Sequence, residues 1–393
     1  MNILSIETSC DETALSIIST NTKEKNFSVR ANALISQIDI HKEYGGVFPA
    51  LAKREHAKNV TPLLIHVLKE ATLYHEGTTD LSLPELEATL EREPELFDAL
   101  VAVLSNIRRP DIDALMVTYG PGLTPALWVG INFARALSIV WDIPIIPVNH
   151  MEGHITSILF SKDYMNEQKA LIDMNQVDLP VIALLISGGH TQLVLVKQWG
   201  HYEIIGETID DAVGEAFDKV GRMLGMEYPG GPKVSQTAQQ GVDDQRVSLP
   251  RPMISSGDYR FSFSGLKTAV RYLVEDQEKK NALDEHMIAN IAREFEHAVT
   301  DVLVKKTTSA LLEYGAQGLI IAGGVSANTH IINSFKECIE KEFSELTLYT
   351  PEQGLSGDNS LMIASAGFIQ LLTHDNPYIT ADELVAVGNL KLS

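Results

Sequence analysis

Cysteine is nearly absent: the 393-residue chain has two, Cys10 and Cys338. Two thiols so far apart make neither a disulfide framework nor a paired thiolate metal site. Positive charge is also scarce, with 31 Lys and Arg against 52 Asp and Glu, a formal net charge of −21. Such a chain does not coat nucleic acid unaided, because neutralising phosphates takes clustered cations; a local basic patch stays open. Long apolar runs are missing as well. No stretch approaches the roughly 18 residues of a spanning helix, and MNILSIETSCDET lacks the basic start and apolar middle of a signal peptide. The expected setting is the cytoplasm, with no membrane partner. What remains, 45% hydrophobic and 21% charged, is the composition of a globular protein long enough for two ordinary cores.

The organisation is a repeat of pattern rather than of residues. The apolar strand NILSIE leads through the polar turn TSCDE into TALSII, and PVIALLI leads through SGGH into TQLVLV. Both read as β-hairpins. IDALMVTYGPG and GLIIAGGVSAN are each a short apolar strand ending in a glycine turn and followed by a helical pattern, ALWVGINFARALSIVW and THIINSFKECIEK. Two similar α/β lobes are expected, with glycine turns whose backbone N–H groups suit an anion and face a shared cleft. The expected boundaries are 1–160 for the first lobe, 161–179 for a linker, 180–355 for the second lobe, and 356–393 for a segment returning to the first. Residues 75–111 stand apart: Leu86, Leu90, Leu96, Leu100 and Leu104 recur near helical spacing among acids, and Pro94 breaks the run. They read as an inserted helical hairpin on the first lobe, solvated on one side and packed on the other.

HMEGH at 150–154 places His150 and His154 at i and i+4, on one helical face where both imidazoles reach one ion. A protease of the HExxH type needs Glu directly after the first His, and Met151 holds that place. Metal site and ordinary helix start both remain open from this spacing alone.

Several phrases then fall in the order of one family: ETSCDET (7–13), HKEYGGVFPALAKREH (41–56), GPGL (120–123), HMEGH, LISGGHTQL (185–193), DDAVGEAFDKVGRMLGMEYPGGP (210–232), RFSFSGLKT (260–268), AGGVSAN (322–328) and SGDN (356–359). The chain resembles the Kae/Qri/TsaD family of tRNA adenosine threonylcarbamoyltransferases, formerly classed as glycoproteases. That resemblance implies a two-lobed actin/hexokinase-like fold. It also implies transfer of a threonylcarbamoyl group from threonylcarbamoyl-adenylate to adenosine 37 of tRNAs reading ANN codons. One divalent metal, iron or zinc, is implied at His150, His154 and Asp358. Around that aspartate the family usually carries a CTDN-like sequence, whereas Ser356 and Gly357 precede it here.

By the same resemblance, Leu185, Ile186, Ser187, Gly188 and Gly189 form the phosphate-side turn, Asp218 and Gly231 contact the nucleoside, and Asn328 lies on the adenine side. Asp11 is assigned to orienting or deprotonating the incoming amine, a place where a buried aspartate equally serves to cap its turn. Implied partners are tRNA, a homologous TsaB-like subunit and a TsaE-like ATPase, with a separate synthase supplying the adenylate. The cations Lys53 and Arg54, and Arg251, Arg260, Lys267 and Arg271, are the candidate tRNA contacts, with Phe261 and Phe263 stacking on a base. Two other readings stay open: a sugar kinase or small-molecule O-carbamoyltransferase on the same fold, and a non-catalytic scaffold. RFSFSGLKT and HKEYGGVFPALAKREH favour the tRNA enzyme, because no phosphate-transfer logic requires them.

Overall fold

The computed structural model describes residues 1–160, 174–343, 345–352 and 354–392. Most of the expected linker, 161–173, lies outside the described residues. The chain divides into two units. The first takes Met1–Asp39, Val47–Gln176 and Gly357–Leu392; the second takes Ile40–Gly46 and Val177–Ser356.

In the first unit β1 (Asn2–Glu7), β2 (Glu12–Asn21) and β3 (Asn26–Ser36) form an antiparallel meander. β4 (Ala114–Gly120) and β5 (Ile145–Asn149) add in parallel beside β1, giving the order β3-β2-β1-β4-β5. Central β1 is buried along nearly its whole length, because both faces of the sheet are covered. The one-turn α1 (Ile38–His41) follows β3. α2 (Pro49–Glu70) and α5 (Thr124–Trp141) pack against each other and the sheet, through Val60, Leu64 and Val67 on one and Leu127, Phe133 and Leu137 on the other. α6 (His150–Thr156) and α12 (Ser360–Thr373) also pack together.

The inserted segment folds as α3 (Leu83–Thr89) and α4 (Pro94–Leu104), with the break at Pro94, the first residue of α4. Its base is closed where Arg108 N donates to His75 O at 2.9 Å. Its leucine face is the packed one. Leu86, Leu90, Leu96, Leu100 and Leu104 are all buried in the core that α2 and α5 share. Glu93, between the two helices, is buried against Lys53 Nζ at 2.9 Å and Asn132 Nδ2 at 2.8 Å.

The second unit repeats the first. β6 (Val181–Ile186), β7 (Thr191–Gln198) and β8 (His201–Glu207) form an antiparallel meander. β9 (Gly318–Ala322) and β10 (Thr347–Tyr349) run parallel to β6. The order β10-β9-β6-β7-β8 is the topology of the first sheet. α7 (Val213–Met223), α8 (Gly230–Ala238), α9 (Ser264–Lys279), α10 (Glu285–Tyr314) and α11 (Thr329–Glu342) complete it around a core holding Phe217, Phe261, Phe263, Phe295 and Phe335. No helix among the described residues is long and apolar enough to cross a membrane.

Candidate functional site

α6 starts directly at the end of β5, with Asn149 as its cap: Asn149 Oδ1 accepts from Met151 N at 2.9 Å. Its first residue is His150, and His154 lies one turn on. The imidazoles meet edge to face with centroids 4.7 Å apart. Asp358 comes from the turn before α12, held by Asn359, whose Oδ1 accepts from Met362 N at 3.0 Å. Asp358 Oδ1 is 3.5 Å from His150 Nε2 and 3.2 Å from His154 Nε2. The three residues offer ligand atoms that all lie within 4.8 Å of one another, the one such group of three or more among the described residues.

The donor set fits a metal. His154 is fully buried, yet neither of its ring nitrogens has a hydrogen-bond partner of acceptable geometry. A buried orphan of this kind costs about 1–3 kcal/mol, and an ion at Nε2 relieves part of that. Two imidazoles and one carboxylate suit iron or zinc and leave positions free for substrate oxygen. Burial disfavours charge on His150, but Asp358 and Glu7 outweigh it and raise its pKa to about 10. The Asp358 carboxyl is held far below its usual range despite burial, because His150 and His154 face it.

Residues that lie within the quoted motifs but were given no role there surround this centre. Glu7, the last residue of β1, is fully buried, and its Oε2 lies 3.2 Å from His150 Nδ1. Ser9 Oγ approaches the same nitrogen at 3.1 Å. Burial pushes the Glu7 carboxyl up, and the neighbouring His150 brings it below its ordinary value. Glu12 is pushed up to about 10, first by burial and then by Asp11 and Asp358. Asp11 itself is buried, and its backbone carbonyl accepts from Gln37 N at 2.9 Å. The turn is braced by buried His56 of α2, whose Nε2 lies 3.0 Å from Cys10 O and whose Nδ1 lies 2.8 Å from Thr13 Oγ1. The legible signal for Glu7 was a carboxylate closing an otherwise apolar strand. His56 gave none, since its partners are distant in sequence.

The turn expected to hold the phosphate side lies in the second unit, between β6 and β7. Ser187 N donates to His190 O at 2.9 Å, and His190 N donates back to Ser187 Oγ at 3.2 Å. Leu185 and Ile186 are wholly buried in the sheet, so neither offers a side chain to a ligand. A β-carbon on Gly188 or Gly189 would meet nothing within 4 Å, so packing does not demand glycine there. Gly323 is demanded: its φ is +93°, and a β-carbon would lie 2.5 Å from Ile186 O. Asp218 Oδ1 accepts from Gly230 N at 2.7 Å and so caps α8, where Gly231 sits. Asn328 caps α11 through Oδ1, 3.0 Å from Ile331 N, while its Nδ2 donates to Glu296 at 2.7 Å. Each end of that amide retains one further hydrogen bond.

The basic patch changes most on folding. Phe261 and Phe263 are fully buried and stack on each other, so neither ring is available to a base. Arg260 pairs with Asp258 at 2.7 Å, Lys267 with Asp211 at 3.0 Å and Arg271 with Glu275 at 3.7 Å. Arg251 is held by Glu294 and Asp301, Lys53 by Glu93, and Arg54 by Glu55. Every cation of the two clusters has an acidic partner.

The fold resembles that of full-length HypF in its phosphate- and nucleotide-bound form, with a TM-score of 0.53 at 12% identity, covering 95% of this chain and 47% of that one. The chain therefore spans about half the length of that protein. The Acidaminococcus fermentans (R)-2-hydroxyglutaryl-CoA dehydratase component A matches with a TM-score of 0.45 at 11% identity, covering 94% of this chain and 96% of that one. The duplicated sheet topology is that of the actin/hexokinase-like α/β fold. The profile described as TsaD, tRNA N6-adenosine threonylcarbamoyltransferase, matches residues 28–80 and 90–365. The interruption between those segments takes in α3, the first helix of the insertion. With most of its length matched, the chain belongs to the tRNA N6-adenosine threonylcarbamoyltransferase family and is a transferase.

Proposed function

We propose that the chain transfers the threonylcarbamoyl group of threonylcarbamoyl-adenylate to N6 of adenosine 37 in tRNAs reading ANN codons. The observation that carries this reading, beside family membership, is the convergence of His150, His154 and Asp358 within 4.8 Å. In the transfer a bond forms between N6 and the carbamoyl carbon, the bond from that carbon to the phosphate oxygen breaks, and AMP leaves. The amine loses one proton.

Such a reaction needs the mixed anhydride held, the leaving phosphate's charge stabilised and a weak aryl amine oriented. His150, His154 and Asp358 would hold an iron or zinc ion, which supplies Lewis-acid charge for a substrate oxygen when bound. Backbone N–H groups of Gly188 and Gly189, with Ser187 Oγ, bind the phosphate side. The second lone pair and second hydrogen of the Asn328 amide serve the adenine, Asp218 serves the ribose, and Gly231 admits the nucleoside close to the backbone. Asp11 orients the incoming amine and takes its proton. A net charge of −21 makes tRNA binding by the chain alone weak. A TsaB-like subunit and a TsaE-like ATPase then supply much of the surface, in the cytoplasm.

The test is reconstitution with tRNA, threonine, bicarbonate, ATP, the adenylate synthase and these partners, followed by nucleoside mass spectrometry. Threonylcarbamoyl-adenosine at position 37 is the expected product. Unmodified tRNA beside a carbamoylated small molecule would overturn the assignment.

A further inference from the structure

We propose that Glu7 is a positioning residue of the metal centre, fixing the His150 ring so that Nε2 is presented to the ion. The inference rests on the metal reading above.

β1 is a central strand whose neighbours Ile3, Leu4 and Ile6 are fully buried, and a carboxylate at its end is expensive to bury without partners. Three groups converge on it. Ser9 N donates to Oε1 at 2.5 Å, Thr118 Oγ1 donates to Oε2 at 2.5 Å, and His150 Nδ1 lies 3.2 Å from Oε2. Nothing in the packing of an apolar strand calls for this arrangement. It has a clear effect on the ring, however. His150 Nδ1 faces Glu7 while Nε2 faces Asp358 at 3.5 Å. A carboxylate on Nδ1 keeps the proton there, which leaves the Nε2 lone pair for an ion and raises its basicity. His154 provides the contrast, since its Nδ1 has no hydrogen-bond partner. Both imidazoles face Asp358 through Nε2, but only that of His150 has a buried carboxylate at Nδ1 as well. Removing Glu7 therefore acts on metal affinity through His150 only.

Cobalt(II), titrated into the purified full-length chain and followed by its visible absorption, reads this directly. Glu7→Ala is expected to weaken cobalt binding about 10- to 100-fold. Glu7→Gln, which keeps an acceptor oxygen but not the charge, should weaken it less, and both should change the cobalt spectrum. A merely structural Glu7 would lower thermal stability equally with and without cobalt and leave affinity and spectrum at wild-type values; that result overturns the inference. Should both variants fail to fold, Thr118→Val decides, because it removes one donor that aims the carboxylate. Weaker cobalt binding supports the role, and unchanged binding overturns it. If the wild-type chain takes up no cobalt, the metal reading falls as well. If the wild type binds and the Glu7 variants bind equally, only the role of Glu7 falls.

Discussion

Gly153 lies directly against Met362, with a β-carbon built on the glycine falling 3.1 Å from Met362 Cγ, 3.2 Å from Ile363 Cδ1 and 3.3 Å from Met362 O. This close approach of α6 to the start of α12 brings Asp358 onto the two histidines. Gly153→Ala should therefore destabilise the protein by about 1–3 kcal/mol. It should also lower metal occupancy, because the backbone oxygen of Met362 cannot swing aside as a side chain can. Calorimetry with elemental analysis checks both, and full occupancy in Gly153→Val would refute the link.

His154→Ala should strip the ion while leaving the metal-free fold within about 1 kcal/mol of metal-free wild type. The usual cost of a buried cavity is partly offset here by removing Nδ1, a buried polar atom that lacks a partner. Metal content equal to wild type would count against the ligand assignment.

Leu100 is fully buried on α4, within the core of the first unit. Leu100→Ala should cost about 2–5 kcal/mol, measured by urea denaturation. Deletion of residues 77–109 should abolish stable folding, because it exposes the apolar faces of α2 and α5. A soluble, cooperatively melting deletion chain would show those faces to be self-sufficient.

Asp210 accepts from Phe263 N at 2.8 Å, Ser264 N at 3.2 Å, and the hydroxyls of Ser262 and Ser264 at 2.6 Å each. Burial raises its carboxyl pKa, but these donors lower it by more, leaving it below the ordinary value. A folded-state pKa below the unfolded one adds stability that is complete above the unfolded pKa and is lost as pH falls through the folded one. Asp210→Asn should lower stability at neutral pH and flatten the acid side of the stability profile. Parallel acid limbs for variant and wild type would contradict this.

The repeat was legible because its central strands carry continuous apolar runs. NILSIE and VIALLI are unmistakable, and each is followed by a distinctive turn. The edge strands were not legible. β3 reads NFSVRANALIS and β8 reads HYEIIGE, mixed sequences whose strand character comes from pairing with β2 and β7. The candidate metal ligands were named by resemblance, since nothing local to SGDN announces that Asp358 meets His154. The leucines of the insertion gave its helices, but their acidic neighbours hid how deeply that face packs. The phenylalanines of RFSFSGLKT misled for a related reason: aromatic residues beside cations suit a stacking platform as well as they suit a core. Only the partners, Asp211 for Lys267 and the interior for both rings, separate the two.

Because the first unit is built from three stretches of chain, its candidate metal centre has an order of assembly imposed by synthesis. On the ribosome, His150 and His154 emerge early, and all of Val177–Ser356 must follow before Asp358 appears. A nascent chain carries the histidine pair without Asp358 for about half of its translation, so an ion that needs all three residues would be taken up late. A product truncated just short of Asp358 would retain the histidines and the second unit, yet lack the carboxylate and the helix α12 that packs on α6.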